Sequence, residues 1–183
     1  MGKVIFGMTI SLDGFVNDSN GSVARLYPDL ADLRETKMLR EAIEMTGAVV
    51  MGRHSYDMAQ GDLTGYEFQT HIFVLTHNPP EKEPKGQNDH LKVIFVGDGI
   101  ESAIRQAITA AGDKDVQIVG GPDTGGQALR KGLVDEIQIG VMPVLLGQGL
   151  RLFEQMGLEP LELEKIQVLE TSDRTDIKFR VKK

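Results

Sequence analysis

The chain has 183 residues, 40% of them apolar and 26% charged, values of an ordinary globular domain with room for one sizeable core. Its net charge of −7 argues against a nucleic-acid groove or an anionic membrane surface as partner. With no cysteine there is no disulfide, thiolate metal site or cysteine nucleophile, and His54, His71, His77 and His90 form no metal-ligand spacing.

No apolar run reaches the roughly 18 residues of a membrane span. The opening residues MGKVIFGMTI also lack the long apolar stretch of a signal peptide, so a soluble cytoplasmic protein is expected. Residues 3–10 carry Val4, Ile5, Phe6 and Ile10 and read as a first buried strand that runs into a turn at Asp13-Gly14. Asp13 is either a turn residue or a polar group at a strand end. A helix is expected over residues 33–45. Asp32 and Glu35 have capping-box spacing, Leu39, Ala42, Ile43 and Thr46 share a face, and Gly47 suits a C-terminal cap. Residues 48–51 form a short buried strand that ends in Gly52-Arg53-His54-Ser55-Tyr56, a glycine followed by a polar helix start. Arg53 reads either as a phosphate ligand or as a surface charge. Residues 71–76 are a further core strand closed by His77-Asn78-Pro79-Pro80, and residues 91–96 are the next.

Residues 99–111 are the clearest helix, with Ile100, Ala103, Ile104, Ala107, Ile108 and Ala111 on one face, Asp98 and Glu101 at its start and Gly112 at its end. Residues 116–119 then read as a buried strand broken by Gly120-Gly121. Pro122, Asp123 and Thr124 open a helix, with Gly125 and Gly126 inside its first turn. Each of those two glycines costs about 1 kcal/mol relative to alanine. Their cluster indicates either close helix–sheet packing or a backbone that approaches an anion such as a pyrophosphate. Gly132-Leu133 caps this helix, and Val134, Ile137, Ile139 and Val141 mark another strand. Residues 151–156 suggest a short helix, and residues 161–170 and 176–182 alternate as a terminal hairpin.

Strand and helix thus alternate four times before a hairpin, which predicts a three-layer α/β protein with a mixed, mostly parallel sheet and an antiparallel end, all in one domain over residues 1–183. Asp13, Gly52-Arg53, Thr76-His77 and Gly120-Gly121 all fall just past strand ends, where ligands sit in such sheets.

Five stretches carry a resemblance. They are Met8-Thr9-Ile10-Ser11-Leu12-Asp13-Gly14, Met51-Gly52-Arg53-His54-Ser55-Tyr56, Val119-Gly120-Gly121, Gly132-Leu133-Val134-Asp135-Glu136 and Pro143-Val144-Leu145-Leu146-Gly147-Gln148-Gly149. Together they resemble the reductase domain of the riboflavin-pathway bifunctional deaminase-reductase, which shares the dihydrofolate reductase-like fold. The resemblance covers nearly the whole chain and implies NADPH as cofactor, with hydride transfer to a pterin-like or ribosylaminopyrimidine substrate. By position it places Gly52, Arg53 and His54 on the adenosine-phosphate side and Thr76 and His77 near the 2′-phosphate. It places Gly120, Gly121, Thr124 and Gly125 at the pyrophosphate. Asp123 stands where dihydrofolate reductases often carry an arginine; an acid there repels a phosphate, so NADH is not excluded. The resemblance also makes Asp13 the preferred substrate-side residue and offers Asp32 as a catalytic acid, against its reading as a helix cap. It further implies a homodimer and a small-molecule substrate, and the residues themselves offer no metal site. Dihydrofolate reduction and a non-catalytic nucleotide-binding module are the alternatives.

Overall fold

The computed structural model describes residues 2–28, 37–154, 157, 159–170 and 173–182. In chain order the elements are β1 (Val4–Ser11), β2 (Phe15–Asn17), a 3-10 turn (Ala24–Leu26), α1 (Lys37–Met45), β3 (Thr46–Gly52), α2 (Arg53–Met58), β4 (His71–Leu75), β5 (Val93–Val96), α3 (Ile100–Ala111), β6 (Asp115–Val119), α4 (Pro122–Arg130), β7 (Glu136–Met142), β8 (Leu150–Arg151), β9 (Leu163–Glu170) and β10 (Thr175–Val181). Eight strands form one sheet in the order β5-β4-β3-β6-β1-β7-β10-β9. The first six are mutually parallel. β10 then runs antiparallel to both β7 and β9, which is the expected terminal hairpin.

Two cores flank the sheet. One joins Phe6, Val50, Ile118 and Ile137 to Ala103, Ile104 and Ala107 of α3 and to Ala128 and Leu129 of α4. The other joins Val49, Met51, Ile72 and Val74 to Tyr56 of α2, to Leu63, Phe68 and Leu91 from the connecting segments, and to Ile43 of α1. Successive strand residues point to opposite faces, so the unbroken apolar run Ala48–Met51 feeds both cores at once.

Several local expectations change. Thr46 opens β3 directly after Met45, and Gly47 is a strand residue rather than a cap: a Cβ there would lie 2.7 Å from Ala111. The start of α3 carries no side-chain cap; Gly99 is its N-cap, and Glu101 pairs instead with Lys131 at 3.3 Å. Leu150 and Arg151 do not begin a helix but pair with Asn17 and Phe15 as a two-stranded sheet. Asp32 and the first part of the expected helix over residues 33–45 lie outside the described residues.

One offset in strand length creates the site. β1 pairs with β6 only from Val4↔Val116 to Gly7↔Val119, yet continues against β7 as far as Ser11↔Met142. β6 stops early because Gly120, at φ +152°, turns the chain away. Lys3 O accepts from Val116 N, on the β6 side, and Val4 O accepts from Asp135 N, on the β7 side. Alternation along the strand then turns the N–H and C=O of Thr9 toward the β6 side, beyond the last residue of β6.

Candidate functional site

A cleft of about 420 Å³ opens across the carboxyl ends of β3, β4 and β6. Its wall holds Gly52, Arg53 and His54 from the β3–α2 junction, Thr76 and His77 after β4, and Gly121, Asp123 and Thr124 from the β6–α4 junction. This is the crevice where strand order reverses, since β6 returns to lie between β1 and β3.

The helix starts set its chemistry. Gly52, Gly99 and Gly121 are the N-caps of α2, α3 and α4, and none supplies a side-chain cap; all three line the cleft. Helix N-caps favour Ser, Thr, Asp or Asn, whose side chains would fill this space and satisfy the bare amides. Here the backbone stays uncovered. At α4, Pro122 has no N–H, so the first-turn donors are the amides of Asp123 and Thr124, with that of Gly121 just before them.

Close fits explain which glycines are required. A Cβ on Gly52 would lie 2.5 Å from Thr124 Oγ1, and one on Gly120 would lie 3.2 Å from Ser55 Oγ and 3.4 Å from Gly52 N. The two junctions therefore touch, and Thr124, 3% exposed, fills the gap between them. Gly125 follows the packing alternative rather than the anion-binding one. Its amide donates to Gly121 O at 3.3 Å, and a Cβ there would stand 2.1 Å from Phe6 Cζ. Gly125 is thus a helix–sheet contact rather than a bare donor, and the anion-facing amides lie before it.

On the far wall, Arg53 Nε donates to Asp57 Oδ1 at 2.7 Å, and Arg53 Nη1 donates to the Asn78 carbonyl. Thr76 Oγ1 and Asn78 N are 3.2 Å apart. Arg53 therefore clasps α2 to the turn after β4, and the guanidinium, with five N–H donors, retains capacity for an anion. His54 and His77 are exposed. Asp123 Oδ2 accepts from Gln127 Nε2 at 2.9 Å, which holds the acid along the helix flank.

Asp13 is bound into the turn after β1. Its carboxylate accepts from Ser11 Oγ at 2.6 Å, Leu146 N at 3.1 Å and Gly147 N at 2.7 Å. The Ser11 hydroxyl and the two backbone amides hold its pKa down to about 2. An acid so stabilised as its anion has no proton to give near neutrality. Asp13 ties the turn after β1 to the loop after β7, and Arg151 adds to the tie by donating to Asp13 O at 2.9 Å while stacking 4.4 Å over the Phe15 ring.

Gly99, Ser55, Leu75 and Leu150 also line the cleft, although the sequence gives them no site role. Gly99 carried a usable signal: it follows a strand and opens a helix, as Gly52 and Gly121 do. Among the described residues, no three His, Asp or Glu side chains come together to hold a metal ion, and no helix is long and apolar enough to cross a membrane.

Comparison with known proteins bears on this architecture. Residues 2–175 match the family model described as the RibD C-terminal domain. The chain is 26% identical over 157 residues to Uncharacterized protein YyaP of Bacillus subtilis (strain 168), spanning 82% of this chain and 80% of that protein. Among solved structures, a protein of Shewanella sp. PV-4 assigned to riboflavin biosynthesis is 24% identical, with a TM-score of 0.79 over 99% of both chains. Dihydrofolate reductase from Enterococcus faecalis, complexed with NADP(H) and RAB-propyl, is 14% identical, with a TM-score of 0.67 over 100% of this chain and 98% of that one. These likenesses show a dihydrofolate reductase-like fold.

Proposed function

The chain belongs to the RibD C-terminal domain family, and from that premise we propose that it is a reductase that uses a nicotinamide dinucleotide, preferring NADPH. The observation that carries the reading is the convergence of three glycine N-caps, Gly52, Gly99 and Gly121, on one cleft. Such a cradle, with open space beside Gly99 and Gly121, fits a diphosphate held by main-chain amides. The donors are Gly121, Asp123 and Thr124. Arg53 and His54 serve the adenosine-phosphate side, with Thr76 and His77 nearest a 2′-phosphate. At the other end, Thr9 offers one N–H and one C=O side by side, the complement of a planar carboxamide.

A reduced nicotinamide ring supplies the hydride, and the chain supplies placement. Thr9 orients the ring end, the α4 amides fix the diphosphate, and the Asp13 tie holds the β1 and β7 loops at the cleft's edge. Asp13 stays ionised and positions backbone; the proton comes from water or from Asp32. The acceptor is a small heterocycle of the ribosylaminopyrimidine type, as the family membership favours, with dihydrofolate as the second reading because the fold is shared with a dihydrofolate reductase.

The test is direct. NADPH and NADH are titrated by nucleotide fluorescence, and oxidation is then followed with 5-amino-6-(5-phosphoribosylamino)uracil and with dihydrofolate. Saturable binding and turnover on the pyrimidine support the proposal. Turnover on dihydrofolate alone selects the second reading, and binding without turnover on either selects a non-catalytic module. Sedimentation checks the homodimer that the resemblance implies.

A further inference from the structure

Three polar side chains meet over one glycine on the sheet face turned away from Phe6. Thr9 of β1 lies opposite Gly140 of β7, and Gly140 lies opposite Asp176 of β10. Residues paired across neighbouring strands share a face, so Thr9, Gly140 and Asp176 form one row. The middle place in that row has no side chain. A Cβ there would stand 2.9 Å from Asp176 Oδ1, 3.3 Å from Thr9 Oγ1 and 3.4 Å from Arg174 Nη1. The gap is filled by the guanidinium of Arg174, which reaches back over the glycine from the residue before β10.

Arg174, Asp176 and Thr9 are all buried. Arg174 Nη1 donates to Thr9 Oγ1 at 3.2 Å, and Nη2 donates to the Leu26 carbonyl at 3.3 Å. The guanidinium also lies 5.7 Å from the centre of the Tyr27 ring. One side chain therefore joins the end of β1, the start of β10 and the segment after β2. Stability alone is a weak reason for it, because apolar side chains of the same volume often do as well as a buried ionic group. A glycine inside a strand weakens the sheet further. What the guanidinium adds is direction, since its donors are fixed in one plane. It applies that direction where β1 has lost support on one side. β6 pairs with β1 no further than Gly7, so Thr9 is held through β7 alone. The free edge of Thr9 is the one offered to the nicotinamide carboxamide.

We propose that Arg174 is a positioning residue for hydride transfer. By holding Thr9 Oγ1 it sets the tilt of the Thr9 peptide groups, and through them the placement of the nicotinamide ring against the acceptor. This role rests on the reductase reading.

The test compares two ligands, NADPH and 2′-phospho-ADP-ribose, which is the same molecule without its nicotinamide ring. Each is titrated into the full chain by calorimetry. Wild type binds NADPH at least about tenfold more tightly than the ring-free ligand, from two net hydrogen bonds to the carboxamide. Arg174→Met reduces that ratio to about twofold by weakening NADPH alone. Thr9→Val removes the Oγ1 acceptor, keeps the branched side chain and leaves the guanidinium its contact with Leu26. It reduces the ratio in the same way, so the test holds even where Arg174→Met folds poorly. The double variant falls no further than either single one, because both break the same contact. A guanidinium with only a structural role would weaken both ligands equally or neither. A wild-type ratio in Thr9→Val, or in folded Arg174→Met, overturns the assignment and leaves the reductase reading standing. Failure of wild type to bind NADPH overturns both.

Discussion

Gly125→Ala separates packing from ligand contact at the α4 junction. The added Cβ would stand 2.1, 2.4 and 2.6 Å from three carbons of the Phe6 ring, well inside ordinary contact. Phe6 is fully buried, so the ring has no solvent to move into. Overpacking of this kind costs about 1–3 kcal/mol, and the severity of the overlap points to the upper end. Alanine recovers about 1 kcal/mol of helix propensity over glycine. The net loss is then about 2 kcal/mol, or about 4–8 °C in melting temperature for a domain of this size. Phe6→Leu should lose stability alone through a partial cavity, yet the double variant should be less destabilised than the sum, by about 1 kcal/mol or more. Thermal and urea unfolding of the four proteins measure the cycle. NADPH affinity of the folded Gly125→Ala protein should stay within about twofold of wild type, below the tenfold that 1.4 kcal/mol would bring. A neutral Gly125→Ala, additive double-variant energies, or a selective loss of NADPH affinity would refute the reasoning.

Other outcomes follow from the same contacts. The carboxyl of Asp13 has a folded pKa held down to about 2, below its unfolded value, so its contribution is present above the unfolded value of about 3.9 and disappears as pH falls toward 2. Melting curves of wild type and Asp13→Asn should therefore converge between about pH 4 and pH 2, and Asp13→Asn should not move the pH dependence of turnover near neutrality. Arg53→Ala breaks the clasp to Asp57 and Asn78 and removes a cation from the cleft. It should raise the Kd for NADPH and for NADH alike by about tenfold, the loss of one charge-assisted contact to a phosphate that both carry; an unchanged Kd would remove Arg53 from the phosphate side. Burial pushes the Glu136 carboxyl up, but the hydrogen bonds from Lys3 and Lys178 outweigh it and hold the group below its ordinary range. Glu136→Gln leaves those two ammonium groups facing a neutral amide and should cost about 1–3 kcal/mol in urea unfolding; an unchanged midpoint would show that the pair contributes nothing.

Much of this molecule was legible in one dimension because its signals are local. Short apolar stretches ended by glycine mark β3 and, around Gln117, β6, and the alternation in residues 161–170 and 176–182 marks the hairpin. Gly52, Arg53, His54, Thr76, His77, Gly121 and Thr124 were legible as a set because each follows a strand, and parallel strands bring their carboxyl ends together. What stayed hidden depends on distant partners. Gly125 looked like its neighbours at the turn, but the ring that forbids its Cβ belongs to Phe6, at the other end of the chain. Asp13 read as a turn residue or a polar group at a strand end, but the amides that hold its carboxylate, Leu146 and Gly147, lie far along the chain. The two-residue β8 is too short to show a period. The shortness of β6 relative to β1, which leaves the Thr9 backbone beyond the last paired residue of β6, is a matter of register and has no mark in composition.

The proposed cofactor site depends most on main-chain amides at the start of α4 holding a dinucleotide's diphosphate. The most direct measurement is the movement of backbone amide NMR signals during NADPH titration. Gly121, Asp123 and Thr124 should shift most, saturating together with Gly52, while Gly125 and Gly126 move little. Saturation with the large shifts elsewhere, or no saturation at all, would contradict it.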